Sequence, residues 1–304
     1  MAAWLRKLKK DIRLNHVIYW MILPALCYFV IFHYIPMYGA QIAFRKYAPG
    51  RGIWGSPWVG FENFARFFSS RQFGRLLGNT LILSGLDILF GFPMPVILAL
   101  LLNEVRQSGF KRVVQTVTYI PHFISMVVIC GLLVDFSLTT GLFNKLGGLF
   151  GLPAVSMLSD PRYFRPLYIA SGIWQEAGWG SIIYLAALSS VDTELYDAAS
   201  VDGAGKLRQV WNVTLPGIAP TIIIMLILRV GRVMDVGFEK ILLLYNPSTY
   251  EVADVISTYV YRIGMLQADY SYSTAIGLFN SVINCVLLVV VNRFSRKLTE
   301  TSLW

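Results

Sequence analysis

Charge is what this sequence has least of. Only 14% of its 304 residues are Asp, Glu, Lys or Arg, against about 25% in an ordinary soluble domain. That shortage excludes a typical soluble globular protein. Cysteine is scarce as well. Cys27, Cys130 and Cys285 all fall within apolar runs and have no metal-ligand spacing, so they read as small packing residues and exclude a disulfide framework. Three histidines without an H-E-x-x-H pair argue against a zinc-dependent membrane enzyme. A nucleotide-binding P-loop is missing too. The stretch GAGKL at 203–207 imitates its tail, but Ser200 stands where the first glycine belongs and Leu207 replaces the hydroxyl that would meet magnesium. No internal repeat and no low-complexity segment is present.

What the chain does have is apolar length. Mean hydropathy is +0.58, and runs of roughly 20 apolar residues, enough to cross a hydrocarbon core about 30 Å thick, recur along it. The expected fold class is all-α, a polytopic membrane protein with six spans at 17–38, 77–102, 113–137, 166–188, 217–237 and 274–293. Pro24, Pro93, Pro95, Pro121 and Pro220 fall inside these spans, where neighbouring groups re-satisfy the freed backbone. The first run is longer than a signal-peptide core and lacks an A-x-A site, so it is expected to be retained.

The net charge of +9 reads as membrane topology rather than as affinity for nucleic acid. Six spans put both termini on one side. That side carries twelve Lys and Arg in 65 residues, while the opposite loops carry eleven in 102. The denser side is the cytoplasmic one, which places both termini in the cytoplasm. Arg66, Arg71 and Arg75, in the first outer loop, pull the other way. In the same loop, WVGFENFARFF spaces aromatics as an interfacial helix does.

Between the fourth and fifth spans lies YDAASVDGAGKLRQVWNVTLP, one of the more polar stretches. Asp192 and Glu194 supply a helix start and a first-turn acid. Tyr196 to Val201 suits a short helix, with Ala198 and Ala199 as a smooth face. Gly203 and Gly205 permit a sharp bend, and a second short helix over 206–213 leads to Pro216 at the start of the fifth span. The result is a helix-turn-helix elbow over 192–216 on the cytoplasmic face. A plain connecting loop is the bland alternative, and these local signals name no partner.

The spacing within the elbow resembles a known motif. The permease subunits of binding-protein-dependent ABC importers carry Glu-Ala-Ala, three residues, Gly, nine residues, then Ile-x-Leu-Pro. Here Asp197-Ala198-Ala199, three residues, Gly203, nine residues and Val213-Thr214-Leu215-Pro216 keep that spacing, with Asp for Glu and Val for Ile. The resemblance covers roughly Asn79 to Arg293. IPMYGAQIAFRKY and GSPWVGFENFARFF bring the chain nearest the carbohydrate-uptake branch, the LplB-like polysaccharide permeases related to the maltose permease. The resemblance implies a coupling helix that docks on an ATP-binding subunit through Asp197, Ala198, Ala199, Gly203, Leu215 and Pro216. It implies a division into an N-terminal segment, first span and outer loop (1–76), an importer transmembrane domain (77–295) and a tail (296–304). It also implies a second related permease, two ATP-binding subunits that hold ATP and Mg, and an extracytoplasmic solute-binding protein. This chain would then be no enzyme and would hold no cofactor of its own.

Ionisable groups inside a span cost about 2.5–3.5 kcal/mol each at the helix centre on insertion scales, so those present invite explanation. Gln175, Glu176 and Trp179 fall midway in the fourth span. Arg229, Arg232 and Asp235 recur every three residues in the fifth, which would place them along one side of a helix. His122 follows Pro121 in the third span, and Asn280 and Asn284 lie in the sixth. A structural reading pairs Arg232 with Asp235 and Arg229 with Glu176. A functional reading makes them a translocation path, with Trp179 stacking on a sugar ring. The resemblance to maltose-type permeases places the sugar against Gln175, Glu176, Trp179, Arg232 and Asp235, with His122 in a third contact region. Charges at these places favour an acidic oligosaccharide, such as one built of uronic acids. The competing class is an ion-coupled secondary transporter, with Arg229, Arg232, Asp235 and Glu176 as a relay. That class often shows inverted repeats, which this sequence lacks, and it gives the elbow no task.

Overall fold

The computed structural model describes residue 11, residues 13–299 and residues 301–304. Most of the expected N-terminal cytoplasmic segment therefore lies outside the described residues. Among those described, the chain is helical, with no strand beyond one isolated bridge between Arg45 and Trp58. It divides into two compact units, Met1–Phe68 with Ile263–Leu278, and Ser69–Arg262 with Phe279–Trp304.

In the first unit, α1 (His16–Phe29) opens a helical run His16–Phe44 of 29 residues. None of α1 is buried, and after His16 its sequence VIYWMILPALCYF is apolar on every side, as that of a lipid-facing helix is. The loop after it is ordered by aromatic and cationic contacts. Phe44 stacks on Trp58 with ring centres 5.5 Å apart, and the Arg45 guanidinium lies over both Trp54 and Trp58. The expected interfacial helix forms as α2 (Glu62–Phe68). Asn63 on it donates to the Ala43 carbonyl at 2.9 Å. Arg66 pairs with Asp269 at 2.7 Å and covers the Tyr272 ring, so one of the three outer arginines that opposed the charge bias is neutralised where it stands.

The second unit holds α3 (Phe73–Leu86), α4 (Pro93–Glu104), α5 (Ser108–Tyr119), α6 (Met126–Ser137), α7 (Pro161–Leu188), α8 (Thr193–Val201), α9 (Lys206–Gln209), α10 (Leu215–Val230) and α11 (Phe238–Leu244). It also holds the greater part of α12 (Tyr270–Thr299). Two apolar clusters organise it. Val96 and Ala99 of α4 meet Tyr184 and Leu188 of α7 and Ile218 of α10. Leu83, Cys130, Phe164, Tyr168 and Ile241 join α3, α6, α7 and α11. The start of α7 is well specified: the Asp160 side chain accepts from the Arg162 amide at 3.0 Å, and Pro161 takes the first helical position. Hydrogen bonds from Arg162 hold the Asp160 carboxyl below the usual carboxylate range.

Among the described residues, five helical segments are long and apolar enough to cross a membrane: His16–Phe44, Phe73–Glu104, Met126–Gly148, Lys206–Val230 and Tyr270–Lys297. The fourth expected span forms as α7, whose 28 residues give ample length but whose polar Gln175 and Glu176 lower its hydropathy. Two spans differ from expectation. The third is broken rather than continuous over 113–137: α5 ends at Tyr119, a short 3-10 turn covers Ile120–Phe123, and α6 restarts at Met126 under a Ser125 cap. Pro121 has no amide hydrogen and disfavours helix in the residue before it. The fifth ends at Val230 rather than 237, with Gly231 and Gly237 bounding an irregular segment.

Three other prolines are accommodated by local widening, while Pro24, Pro166 and Pro220 stand inside α-helix. π-helical turns at Val30–Tyr34, Asp87–Gly91 and Val210–Thr214 each end two residues before a proline, at Pro36, Pro93 and Pro216. In each, the residue preceding proline donates five positions back, as Phe92 does to the Asp87 carbonyl at 2.8 Å. A proline ring in a regular helix strikes the carbonyl four positions back, and the wider turn relieves that clash without ending the helix. The second arm of the elbow is thereby continuous with the fifth span as Lys206–Val230, not a separate helix over 206–213.

Candidate functional site

Two places in the second unit gather the residues singled out from the sequence. The first is the elbow. The Asp192 carboxylate caps α8 by accepting from the Glu194 amide at 2.9 Å. At its other end Gly203 takes φ +73°, and the Ala204 amide reaches back to the Ala199 carbonyl at 2.9 Å, a left-handed helix stop that glycine adopts without strain. The two arms are tied together by Gln209, whose amide donates to the Ser200 hydroxyl at 2.9 Å, and by Tyr196, whose hydroxyl donates to Thr214 at 3.1 Å. Lys206 pairs with Glu104 at the end of α4, 3.2 Å away. Asp197 and Ala198 are exposed and Ala199 is half-buried. Around them Leu195, Val201, Leu207 and Trp211 are open, Val201 at 89% and Leu207 at 79%. Large apolar side chains grouped on an otherwise polar elbow mark an interaction surface. Leu215 and Pro216 lie in the first turn of α10.

The second place is a cavity of about 740 Å³, within the roughly 300–1,000 Å³ of sites that enclose small ligands. The π-helical turn 87–91, α7, the end of α10, the irregular segment 231–237 and the start of α11 wall it. Gln175, Glu176, Arg229, Arg232 and Asp235 line it, as their shared depth suggested. His122 and Trp179 do not. They stand beside Glu176 instead: His122 Nδ1 lies 3.2 Å from the Glu176 carboxylate, and its ring stacks on Trp179 at 4.7 Å with 2° between planes. One face of Trp179, expected to receive a sugar, is thus covered by an imidazole.

The charge pairings also differ from both simple expectations. Among the described residues, Arg232 does not pair with Asp235, and Arg229 does not pair with Glu176. Arg229 forms an ion pair with Asp87 in the π-helical turn. Asp235 accepts from Asn280 and Asn284 of α12, each at 2.9 Å. The same asparagines serve the irregular backbone: Asn284 accepts from the Met234 amide at 3.0 Å and Asn280 donates to the Met234 carbonyl at 3.3 Å. Ser84 donates to the Val233 carbonyl. Non-helical backbone is tolerated in a membrane protein where protein groups satisfy it, and these side chains do so. The Arg232 side chain has no hydrogen-bond or ion-pair partner among the described residues.

A family model described as binding-protein-dependent transport system inner membrane component matches residues 91–300. The chain belongs to that family. It is a multi-pass membrane subunit of a transport system, and the ion-coupled alternative falls away. Protein LplB of Bacillus subtilis strain 168 is 47% identical over 303 residues, covering 99% of this permease and 94% of that protein. The polygalacturonan/rhamnogalacturonan transport system permease protein YteP of the same strain is 48% identical over 290 residues, covering 94% and 90%. A solved bacterial ABC transporter involved in the import of the acidic polysaccharide alginate contains a chain 48% identical to this one, with a TM-score of 0.90 and coverage of 96% and 99%.

Reading the sequence missed Asp87, Glu239 and Lys240, all of which line the cavity of the permease. Asp87 satisfies the same criterion that exposed Glu176, a carboxylate set in an apolar run (SGLDILFG). Glu239 and Lys240 carried no such signal, because they followed the expected end of the fifth span and read as outer loop.

Proposed function

We propose that this permease subunit forms half of the translocation path of an ATP-driven importer for an acidic oligosaccharide delivered by an extracytoplasmic binding protein. A second related permease completes the path, and two separate ATP-binding subunits hold ATP and Mg and hydrolyse it. Both termini are cytoplasmic, and residues 77–295 carry the importer domain. The elbow 192–216 docks on an ATP-binding subunit through Asp197, Ala198, Ala199 and Gly203, with Leu215 and Pro216 joining it to the fifth span. Closure of the ATP-binding subunits moves the elbow and exchanges access to the cavity between the two sides.

The observation that carries the substrate class is Arg232, a guanidinium in the cavity wall without a carboxylate of its own. A planar guanidinium suits bidentate recognition of a sugar carboxylate. Gln175 and the engaged carboxylates offer hydrogen bonds to hydroxyls, while His122 and Trp179 stand beside the path and hold Glu176 in its wall. The likeness to an importer of an acidic polysaccharide supports the same reading.

The test is Arg232→Ala in the complete transporter reconstituted in vesicles with ATP inside. A charge-assisted hydrogen bond is worth about 1.5–3 kcal/mol, so import of a uronic-acid oligosaccharide is expected to fall about tenfold or more. Import of a carboxyl-reduced, neutral counterpart should stay within about twofold. Equal losses for the two sugars would sink the acidic-substrate reading.

A further inference from the structure

We infer that Lys240 is a specificity-determining residue of the cavity, one that receives a carboxylate of the transported sugar. The inference rests on the acidic-oligosaccharide reading above and adds a binding point on a different element, the first turn of α11.

Lys240 is 4% exposed and lines the cavity. Its ammonium donates to the Tyr168 carbonyl at 2.9 Å and sits 4.8 Å from the centre of the Tyr168 ring. Those contacts hold the head group in place without neutralising it. An ammonium has three N–H donors, and among the described residues no other acceptor and no ion-pair partner meets this one. The carboxylates that share the wall are occupied elsewhere: Asp87 by Arg229, Glu176 by His122, and Asp235 by Asn280 and Asn284. Glu239, the chain neighbour, is exposed and makes no ion pair with Lys240.

A buried cation with a carbonyl and an aromatic face but no counter-charge is expensive. A methionine or leucine would fill the same volume without that cost. Gly172 of α7 lies beside the ammonium: a side chain there would put its first carbon 3.4 Å from Nζ, so the glycine leaves that contact unfilled. A sugar carboxylate entering the cavity would supply the absent charge and the absent acceptors together. A neutral sugar would supply only weaker acceptors.

The experiment uses the complete importer with its binding protein in vesicles, comparing wild type with Lys240→Met, which keeps length and volume but removes charge. Import of a uronic-acid oligosaccharide should fall tenfold or more, import of its carboxyl-reduced form at saturating concentration should stay within twofold, and the thermal midpoint of the purified complex should hold or rise. Equal losses for both sugars, or a lowered midpoint, would make Lys240 a structural residue and overturn the inference. So would unchanged import of the acidic sugar by the variant. Failure of the wild type itself to import the acidic sugar would overturn the substrate reading and this inference with it.

Discussion

Gly178→Ala is expected to prevent most of this permease from assembling. A side-chain carbon at Gly178 would overlap the carbonyl of Thr118 on α5, and backbone cannot step aside as a side chain does by changing rotamer. Forcing extra carbons into packed interiors costs about 1–3 kcal/mol when side chains absorb the strain, and here α5 and α7 would have to part. The same contact sits one turn or less from Glu176 and Trp179, so parting the helices would also dismantle their cluster with His122. The check is the yield of monodisperse complex in mild detergent, expected to drop several-fold or more. Gly180→Ala is the matched control, because its added carbon would meet only the Pro95 ring at 3.0 Å and should cost much less. Equal yields of Gly178→Ala and wild type would mean that α5 and α7 do not approach this closely in the membrane.

Gly203→Pro should leave the complex assembled but uncoupled. Proline is confined to φ near −65°, whereas this position needs +73°. Proline would also remove the amide that Gly203 donates to the Ser200 carbonyl. The stop that turns α8 into α9 would be lost while the buried clusters of the spans stay untouched. ATPase activity stimulated by the loaded binding protein, measured on the reconstituted complex, is expected to fall more than tenfold. Stimulation at the wild-type level with Gly203→Pro in place would show that the elbow carries no signal.

The parts legible in the sequence were those governed by local or strongly periodic signals. Apolar runs of membrane length marked the spans, and Asp192 and Gly203 marked both ends of the first arm of the elbow, because caps and left-handed turns depend on one or two residue types. The illegible parts depended on tertiary context. Three-residue spacing of Arg229, Arg232 and Asp235 implied one helical face, yet Gly231 and the side chains of Ser84, Asn280 and Asn284 allow the chain to leave the helix at Val230. Pro121 and Pro216 look alike in the sequence, but one breaks its span and the other is absorbed by a widened turn. Which outcome follows depends on how the freed backbone groups are satisfied, and neighbours distant in sequence decide that. Arg229 found Asp87 rather than Glu176 for a similar reason: both carboxylates stood at a compatible depth, and only packing of α3 against α7 and α10 chooses between them.

Two helical runs, Phe73–Glu104 and Lys206–Val230, are bridged by two ion pairs, Glu104 with Lys206 beside the elbow and Asp87, midway along the first run, with Arg229. The bridges stand about 25 Å apart along one run and about 35 Å along the other, at 1.5 Å per residue. If either run slides lengthwise, both bridges are sheared in the same stroke. A pull on the elbow would then load the Asp87–Arg229 pair at the cavity wall as well as the Glu104–Lys206 pair beside the elbow.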